Sequence, residues 1–537
     1  MFIRSSLEDD RMFLACKEIA SVLVEQKELS KSQFEKIRRE ACLKHSLSKM
    51  PGNALVLQQV PPEHKERIRY ILMIKPVRTA SGVAVVAIMT QPHPCPHGVC
   101  VYCPGGVRNN SPQAYTGHEP AALRGKQNDY DSFRQVTSRL RQLKSAGHKL
   151  SKAEIIIMGG TFLSTSPDYQ TGFVKGALDS LNGKDSSSLE EAKLIAEKAE
   201  RRNVGITIET RPDWCKEKHV DRMLSYGATR VEIGVQILDD EIYRIMRRGH
   251  TVADVVESFR IAKDSAYKIV AHMMPGLPGS NPEKDIESIK QLFEDERFRP
   301  DMLKIYPTLL IESADLYKWW LEGRYKPYGV EEMVKILVEA KKHIPKWVRI
   351  MRVQRDIPAK MIVDGVKKSN LRELALWELK RQGYSCKCIR CREVGLKQIK
   401  EGIRFNPDEI VLNRTDYDAS EGKEIFLSFD DKSADALVGF LRMRVPSDKS
   451  HRREIAAESA CLVRELHVYG PVVPVGEKED ASWQHKGFGR SLMEEAELIA
   501  AEEYDARKMV VISALGTKEY YRKIGYTSDG PYVSKML

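Results

Sequence analysis

The feature that most constrains this chain is an alternation of apolar strand candidates with amphipathic stretches, beginning at Gly82. Strand-like runs recur at VAVVAIM, EIIIMGG, VGITIET, RVEIGVQ, YKIVAHMM and MLKIYP. Between them lie segments such as SFRQVTSRLRQLKSAG and VADVVESFRIAKDSA, whose apolar positions recur at helical spacing. Parallel strands need a long crossover, so this rhythm dictates βαβ units around a parallel sheet. Six such units without an evident seventh or eighth fit a partial barrel or an open doubly wound sheet. Either architecture places chemistry at the carboxyl ends of the strands.

The flanking regions differ in character. Residues 1–75 are basic and helical, with DRMFLACKEIASVLVEQ and SKSQFEKIRREACLKH as the two clearest helices. Late in the chain, EIFLSFD, ALVGFLRMRV and CLVRELHVYGPVVPV predict antiparallel strands. A long helix GFGRSLMEEAELIAAEEY, a strand MVVISA and a short helix KEYYRKIGY follow. The expected organisation is a helical region 1–75, an α/β barrel-like domain 76–370, a basic cysteine-bearing linker 371–405 and an α+β domain 406–537. Hydrophobic residues make up 42% and charged residues 30% of the 537, which excludes disorder as the main state. No apolar run approaches the ~18 residues of a membrane span, and MFIRSSLEDDR lacks the apolar core of a signal peptide. A soluble cytoplasmic protein, without membrane contact, is expected.

The formal net charge of +11 is unevenly placed. Between Ile344 and Arg404 sixteen Lys or Arg stand against six Asp or Glu, and the first 78 residues carry fifteen against ten. Two basic patches on a nearly balanced remainder suit a polyanion such as nucleic acid, although solvated helix faces produce the same pattern.

Six of the ten cysteines fall into two tight groups, which in a cytosolic chain points to metal. Cys95, Cys100 and Cys103 lie in a Pro- and Gly-rich loop directly after the first strand. Three thiolates on one loop can hold three irons of a 4Fe-4S cluster and leave the fourth iron open; a zinc site completed by His93 or His97 is the alternative. Cys386, Cys388 and Cys391 make a compact zinc clip that needs a fourth ligand. Asp301, His343 and His451 are candidates for it, and a second iron–sulfur cluster is the competing reading.

The first constellation resembles the radical S-adenosylmethionine (SAM) superfamily. Tyr102 precedes the last cysteine, Gly159 and Gly160 end the next strand, and Glu209, Arg211 and Gln236 end the two after it. The resemblance implies SAM held by the glycine pair and these polar residues, although the first cysteine gap is one residue longer than the usual superfamily spacing. Near the carboxyl end, Gln484, Lys486, Gly487, Phe488, Gly489 and Arg490 fit the Q/R-x-x-G-x-G/A pattern of GCN5-related acetyltransferases (GNAT). There, backbone N–H groups at a helix start can bind the acyl-CoA diphosphate. Tyr520 and Tyr521 are candidates for hydrogen bonding the CoA sulfur or a developing oxyanion, and Glu465 and His467 for bases near the thioester.

Both motifs in one chain, with YTGHEPAALRG, RELHVYG and YYRKIGY, resemble the catalytic subunit family of Elongator. That family is the tRNA wobble-uridine carboxymethyluridine synthase. The resemblance implies that Cys95, Cys100 and Cys103 ligate the cluster. It further implies that Glu465, Leu466, His467, Val468, Phe488, Gly489, Arg490 and Tyr521 line an acetyl-CoA site, to which Lys152 of the barrel contributes. The implied reaction begins with SAM cleavage at the cluster and abstraction of hydrogen from the acetyl methyl group. The carbon radical adds to uridine C5, and thioester hydrolysis leaves a carboxymethyl group. The partner implied is the tRNA anticodon stem-loop, with room for accessory Elongator-type subunits. A protein lysine acetyltransferase with a structural iron–sulfur domain is the rival.

Overall fold

The computed structural model describes residues 2–26, 29, 31–73, 81–148, 150–403, 407–469 and 487–537. Its centre is a seven-stranded, all-parallel sheet: β1 (Ala84–Met89), β2 (Lys152–Met158), β3 (Arg202–Thr210), β4 (Arg230–Gln236), β5 (Lys268–Met273), β6 (Met302–Ile305) and β8 (Arg349–Arg352). A short ribbon of β7 (Leu310–Ile311) and β9 (Ile362–Asp364) accompanies it. Strand order follows chain order, so every crossover runs the same way and the sheet curls into a partial barrel. A doubly wound sheet would reverse its order midway, and that alternative falls. The seventh strand escapes the sequence pattern because RIMR has only four residues with arginine at both ends. Its Ile350 is nevertheless buried and paired with Leu303.

The amino-terminal helices Phe2–Glu25, Lys31–Lys44, Asn53–Gln59 and Lys65–Leu72 bury their own small core around Ile19, Leu23, Phe34, Val56 and Ile68. Among the described residues no helix is long and apolar enough to cross a membrane.

The carboxyl-terminal sheet has the order β10 (Ile410–Ala419), β11 (Gly422–Asp431), β12 (Ala436–Val445), β13 (Ala460–Val468), β14 (Lys508–Val511), β16 (Tyr532–Met536), β15 (Thr527–Asp529). β10 is an additional strand that the apolar pattern missed, since its residues alternate toward solvent. The decisive irregularity is in β13. It pairs with β12 through Val468, but with the parallel β14 only from Ala460 to Val463. The segment Glu465–Val468 is thereby splayed away from β14, and the sheet opens there.

Barrel and carboxyl-terminal sheet share one apolar core, into which Leu462, Val510, Leu515 and Tyr532 pack with barrel residues. Beside that core lies a buried ionic network. Arg464 grips Asp301 through both terminal nitrogens (2.8 and 2.5 Å) and Glu424 at 2.6 Å. Arg444 joins Glu424 at 3.0 Å to Asp264 at 2.7 Å, and Lys263 lies 3.3 Å from Glu424. Arg442 bonds Glu465 at 2.9 Å and lies 3.6 Å from Asp301. Lys263, Asp264 and Asp301 belong to the barrel, the others to the sheet. Each of the four anions is met by at least one cation, and Arg260 adds a further contact to Asp264 at 3.8 Å.

Removing one partner from such a network strands a charge without water, which costs about 3–5 kcal/mol. Asp301→Ala should therefore lower the unfolding free energy by about that amount in denaturant titration. Lys423→Ala, at an exposed pair with Asp418, should change it by less than about 1 kcal/mol.

Candidate active site

The carboxyl ends of the barrel strands enclose a cavity of ≈ 1110 Å³, open to solvent. Cys95, Cys100 and Cys103 line it together with Tyr102, Gly160, Glu209, Arg211 and Gln236. The loop after β1 reaches this position because Pro94, Pro96 and Gly98, the last with φ +92°, turn the chain back over the barrel mouth.

Donors surround the sulfurs. The Ala114 backbone N–H and the Gln113 amide donate to Cys103 Sγ at 3.2 and 3.3 Å. Cys100 Sγ receives Arg248 Nη1 at 3.6 Å and lies 3.2 Å from His97 Nε2. Burial pushes the Cys103 thiol up to about 11, and His97 down to about 3 with help from Arg211 and Arg248. Arg248 also bonds the Tyr102 hydroxyl at 3.0 Å and the Gly234 carbonyl at 2.8 Å, so it pins the cysteine loop to β4.

Gly159 and Gly160 have φ of +128° and +70°. A Cβ on Gly159 would meet Thr90 Oγ1 at 2.2 Å, and one on Gly160 would meet Gln113 Cβ at 2.9 Å; the turn has room only for glycine. Arg211 pairs with Asp213 at 3.0 Å through two nitrogens and keeps Nη1 buried without a hydrogen-bond partner. Glu209 accepts from the Tyr115 hydroxyl at 2.8 Å. Gln236 is held at φ +74°, and its Oε1 has no partner.

Below the mouth is a group that sequence reasoning missed. Glu232 receives Lys304, with His272 Nε2 at 2.8 Å, and Lys304 lies 4.0 Å from Glu209. The available signal was charge at inward-facing positions of otherwise apolar strands: Glu232 in RVEIGVQ, His272 in YKIVAHMM and Lys304 in MLKIYP.

A second cavity of ≈ 2660 Å³ opens at the other end of the barrel. Lys152, Arg202, Arg230, Lys268 and Arg349, all at amino ends of strands, form one wall. Glu465, Leu466, His467 and Val468 of the splayed β13 form the opposite wall, with Gly487, Gly489, Arg490, Tyr520 and Tyr521. Gly487, at φ +80°, caps the helix Phe488–Tyr504, whose first N–H groups face outward for lack of acceptors within the helix. Phe488 turns the other way and packs on the Phe429 ring at 4.8 Å. Tyr520 and Tyr521 meet edge to face at 5.2 Å; Tyr521 is buried and Tyr520 exposed. Burial, with Arg202 nearby, lowers the Lys152 ammonium, and burial pushes Lys268 down to about 8 and His467 to about 4. Gln484 and Lys486 lie outside the described residues.

The second cysteine group is compact: the sulfurs of Cys386, Cys388 and Cys391 all lie within 4.8 Å of one another. Lys341 Nζ approaches Cys386 Sγ at 3.6 Å. The three residues considered as a fourth ligand are engaged elsewhere. Asp301 is locked to Arg464, His343 lies 3.8 Å from Glu294, and His451 bonds Asp221 at 2.9 Å.

Comparison with known proteins agrees with this architecture. Residues 12–80 match the ELP3 N-terminal domain, 93–292 the radical SAM superfamily and 300–381 the radical SAM C-terminal domain. The chain is 50% identical over 516 residues to the tRNA uridine(34) acetyltransferase of Methanocaldococcus jannaschii, covering 95% of each chain. It is 45% identical to Elongator complex protein 3 of Homo sapiens, covering 98% of this chain and 97% of that one. The solved structure of Methanocaldococcus infernus Elp3 with an N-terminal deletion (1–46) superimposes with a TM-score of 0.76 at 46% identity. That match covers 85% of this chain and 100% of the other. With whole-length identity of this order, and a radical SAM match that contains the cysteine loop next to a matched ELP3 N-terminal domain, the chain belongs to the Elp3 family of radical SAM proteins.

Proposed function

We propose that this chain modifies uridine 34 of tRNA, building a carboxymethyl group on C5 from the acetyl group of acetyl-CoA by SAM-dependent radical chemistry. The observation that carries the reading is the placement of two cavities at opposite ends of one barrel. One is framed by three cysteines; the other is shared with a splayed acetyltransferase-like sheet. Arg230 lines the second cavity and Glu232 the first, and two residues of strand span only about 7 Å. Uridine C5 is a poor nucleophile, so bonding carbon to it calls for radical chemistry, whereas an ordinary acyl transfer would leave the cysteine-framed site without a role.

The residues present fit the implied cofactors. Cys95, Cys100 and Cys103 would hold a 4Fe-4S cluster, and the N–H and guanidinium donors aimed at their sulfurs suit thiolate ligands. When bound, the cluster supplies the electron that SAM-dependent radical chemistry requires. Gly159 and Gly160 leave the backbone open to the methionine end of SAM, and the unpartnered Arg211 Nη1 and Gln236 Oε1 offer polar contacts. At the other cavity, Gly487 and Gly489 let a diphosphate approach the helix start. Lys152 faces it from the barrel, and Tyr520 and Tyr521 stand beside the thioester end. Sulfurs as close as those of Cys386, Cys388 and Cys391 suit tetrahedral zinc, with Lys341 offsetting thiolate charge. Basic segments 1–78 and 344–404 would hold the anticodon stem-loop by its phosphates. All ten cysteines are free, in keeping with a cytoplasmic setting. Accessory Elongator-type subunits fit the same reading, since the human relative is named as a complex protein.

Nucleoside mass spectrometry after anaerobic incubation of unmodified tRNA with reconstituted protein, reductant, SAM and acetyl-CoA should detect carboxymethyluridine, absent with Cys103→Ala. Acetylated lysine with unmodified uridine would favour a lysine acetyltransferase instead. Gly489→Val places its Cβ about where Tyr520 already crowds, at 3.2 Å. It should weaken acetyl-CoA binding at least roughly tenfold in calorimetry, about 1.4 kcal/mol, while SAM cleavage stays unchanged. Cys388→Ser should lower the zinc content found by elemental analysis from near one ion per chain to near zero. It should leave the iron content intact.

A further inference from the structure

We propose that Glu232 reads the wobble base: its Oε1 accepts the N3–H of uracil in the barrel-mouth cavity, and Lys304 meets a carbonyl oxygen on the same edge. This rests on the uridine reading above and adds to it the residue that selects the base.

Glu232 has no exposed surface, yet it lines the cavity. One carboxylate oxygen, Oε2, takes both His272 and Lys304; the other, Oε1, has no hydrogen-bond partner. A buried acceptor left unsatisfied costs about 1–3 kcal/mol, more when charged, so the site lacks one donor. By spacing alone, Glu209, Glu232 and His272 could hold a metal ion. The Lys304 ammonium already stands among them, against Glu232 and 4.0 Å from Glu209, and Arg230 balances Glu154 one layer below. Lys304 thus fills the position a cation would take, and burial, with Glu232 beside it, raises the Glu209 carboxyl; the partner that Oε1 lacks is a neutral N–H.

Burial alone would raise the Glu232 carboxyl, but Lys304, His272 and Arg230 outweigh it and hold it below the usual carboxylate range. An ionised carboxylate accepts and cannot donate. Uracil presents acceptor, donor, acceptor along O4, N3–H and O2, so its N3–H meets Oε1 while a flanking carbonyl takes a free Lys304 proton. Cytosine presents a lone pair at N3 and would set it against the carboxylate. A buried site built for a hydrogen bond discriminates strongly against a base that cannot supply it. Tyr306, edge-on to His272 at 5.4 Å, and Tyr115 beneath Arg355 at 5.8 Å provide flat surfaces for a base withdrawn from its stack.

The test is fluorescence anisotropy of anticodon stem-loops bearing uridine, N3-methyluridine, cytidine or an abasic site at position 34, with reconstituted full-length protein. Uridine should bind at least tenfold more tightly than N3-methyluridine or cytidine, and Glu232→Gln should reduce those differences to within threefold. Uridine exceeding the abasic site but equalling the other two bases overturns the Glu232 assignment alone. Uridine no better than the abasic site overturns the wobble-uridine reading and this assignment with it. The wild-type series needs no variant to fold. If Glu232→Gln still penalises the methylated base and cytidine tenfold, a steric origin replaces the hydrogen bond and the assignment falls.

Discussion

The geometry of this molecule depends on the buried ionic network between barrel and carboxyl-terminal sheet. Asp301 at the entry to β6 and Glu424 on β11 each accept from Arg464, and Arg444 carries the chain of charges on to Asp264. Such a network is a weak source of net stability compared with apolar packing, because the charges must first lose their water. It is a strong source of orientation, because any rotation between the units would leave a charge unpaired in a dry interior. Apolar contacts through Leu462 and Tyr532 tolerate sliding; bidentate guanidinium contacts do not. The wall formed by β13 is therefore held at one distance from the amino ends of the barrel strands.

That fixed distance gives the splay in β13 its meaning. Where β13 leaves β14, after Val463, Arg464 is the very next residue. The side chain that locks the domains together thus sits at the point where the sheet opens, and Glu465, bonded to Arg442, continues the lock into the cavity wall. A group carried on the splayed strand faces Arg230 and Lys268 across the gap, not solvent. For a two-substrate reaction, holding both reactants in register replaces an encounter in solution.

Much of this was legible from residues alone. The parallel sheet follows from apolar runs with long crossovers, and the cysteine loop from three thiols directly after a strand. The elements that escaped share a cause: too few apolar residues stand in them to read as strands. β8 reads as RIMR and β10 as IVLNRTDYDA, because one is anchored by Arg349 to Glu393 and the other faces solvent on alternate residues. Asp301 looked like a free carboxylate available to a metal, whereas its partner Arg464 lies 163 residues away. Lys152 reads as a surface lysine before a strand. Its place in the second cavity depends on a wall contributed by β13, which no local pattern contains.

The inward face of the barrel carries the same lesson further. Arg230, Glu232, Gly234 and Gln236 succeed one another along a single face of β4, since side chains alternate with period two. Three of the four are polar, in a strand that is buried almost throughout. An apolar filling would have cost less desolvation and packed as densely, so this polarity is tied to what the barrel holds. Arg230 opens to the cavity shared with the carboxyl-terminal sheet and Glu232 to the cysteine-framed one. One layer of matched charge, Arg230 with Glu154 and Glu232 with Lys304, therefore separates the two chambers. A partition of that kind leaves each chamber within electrostatic reach of the other. A continuous layer of leucine and isoleucine would have insulated one chamber from the other.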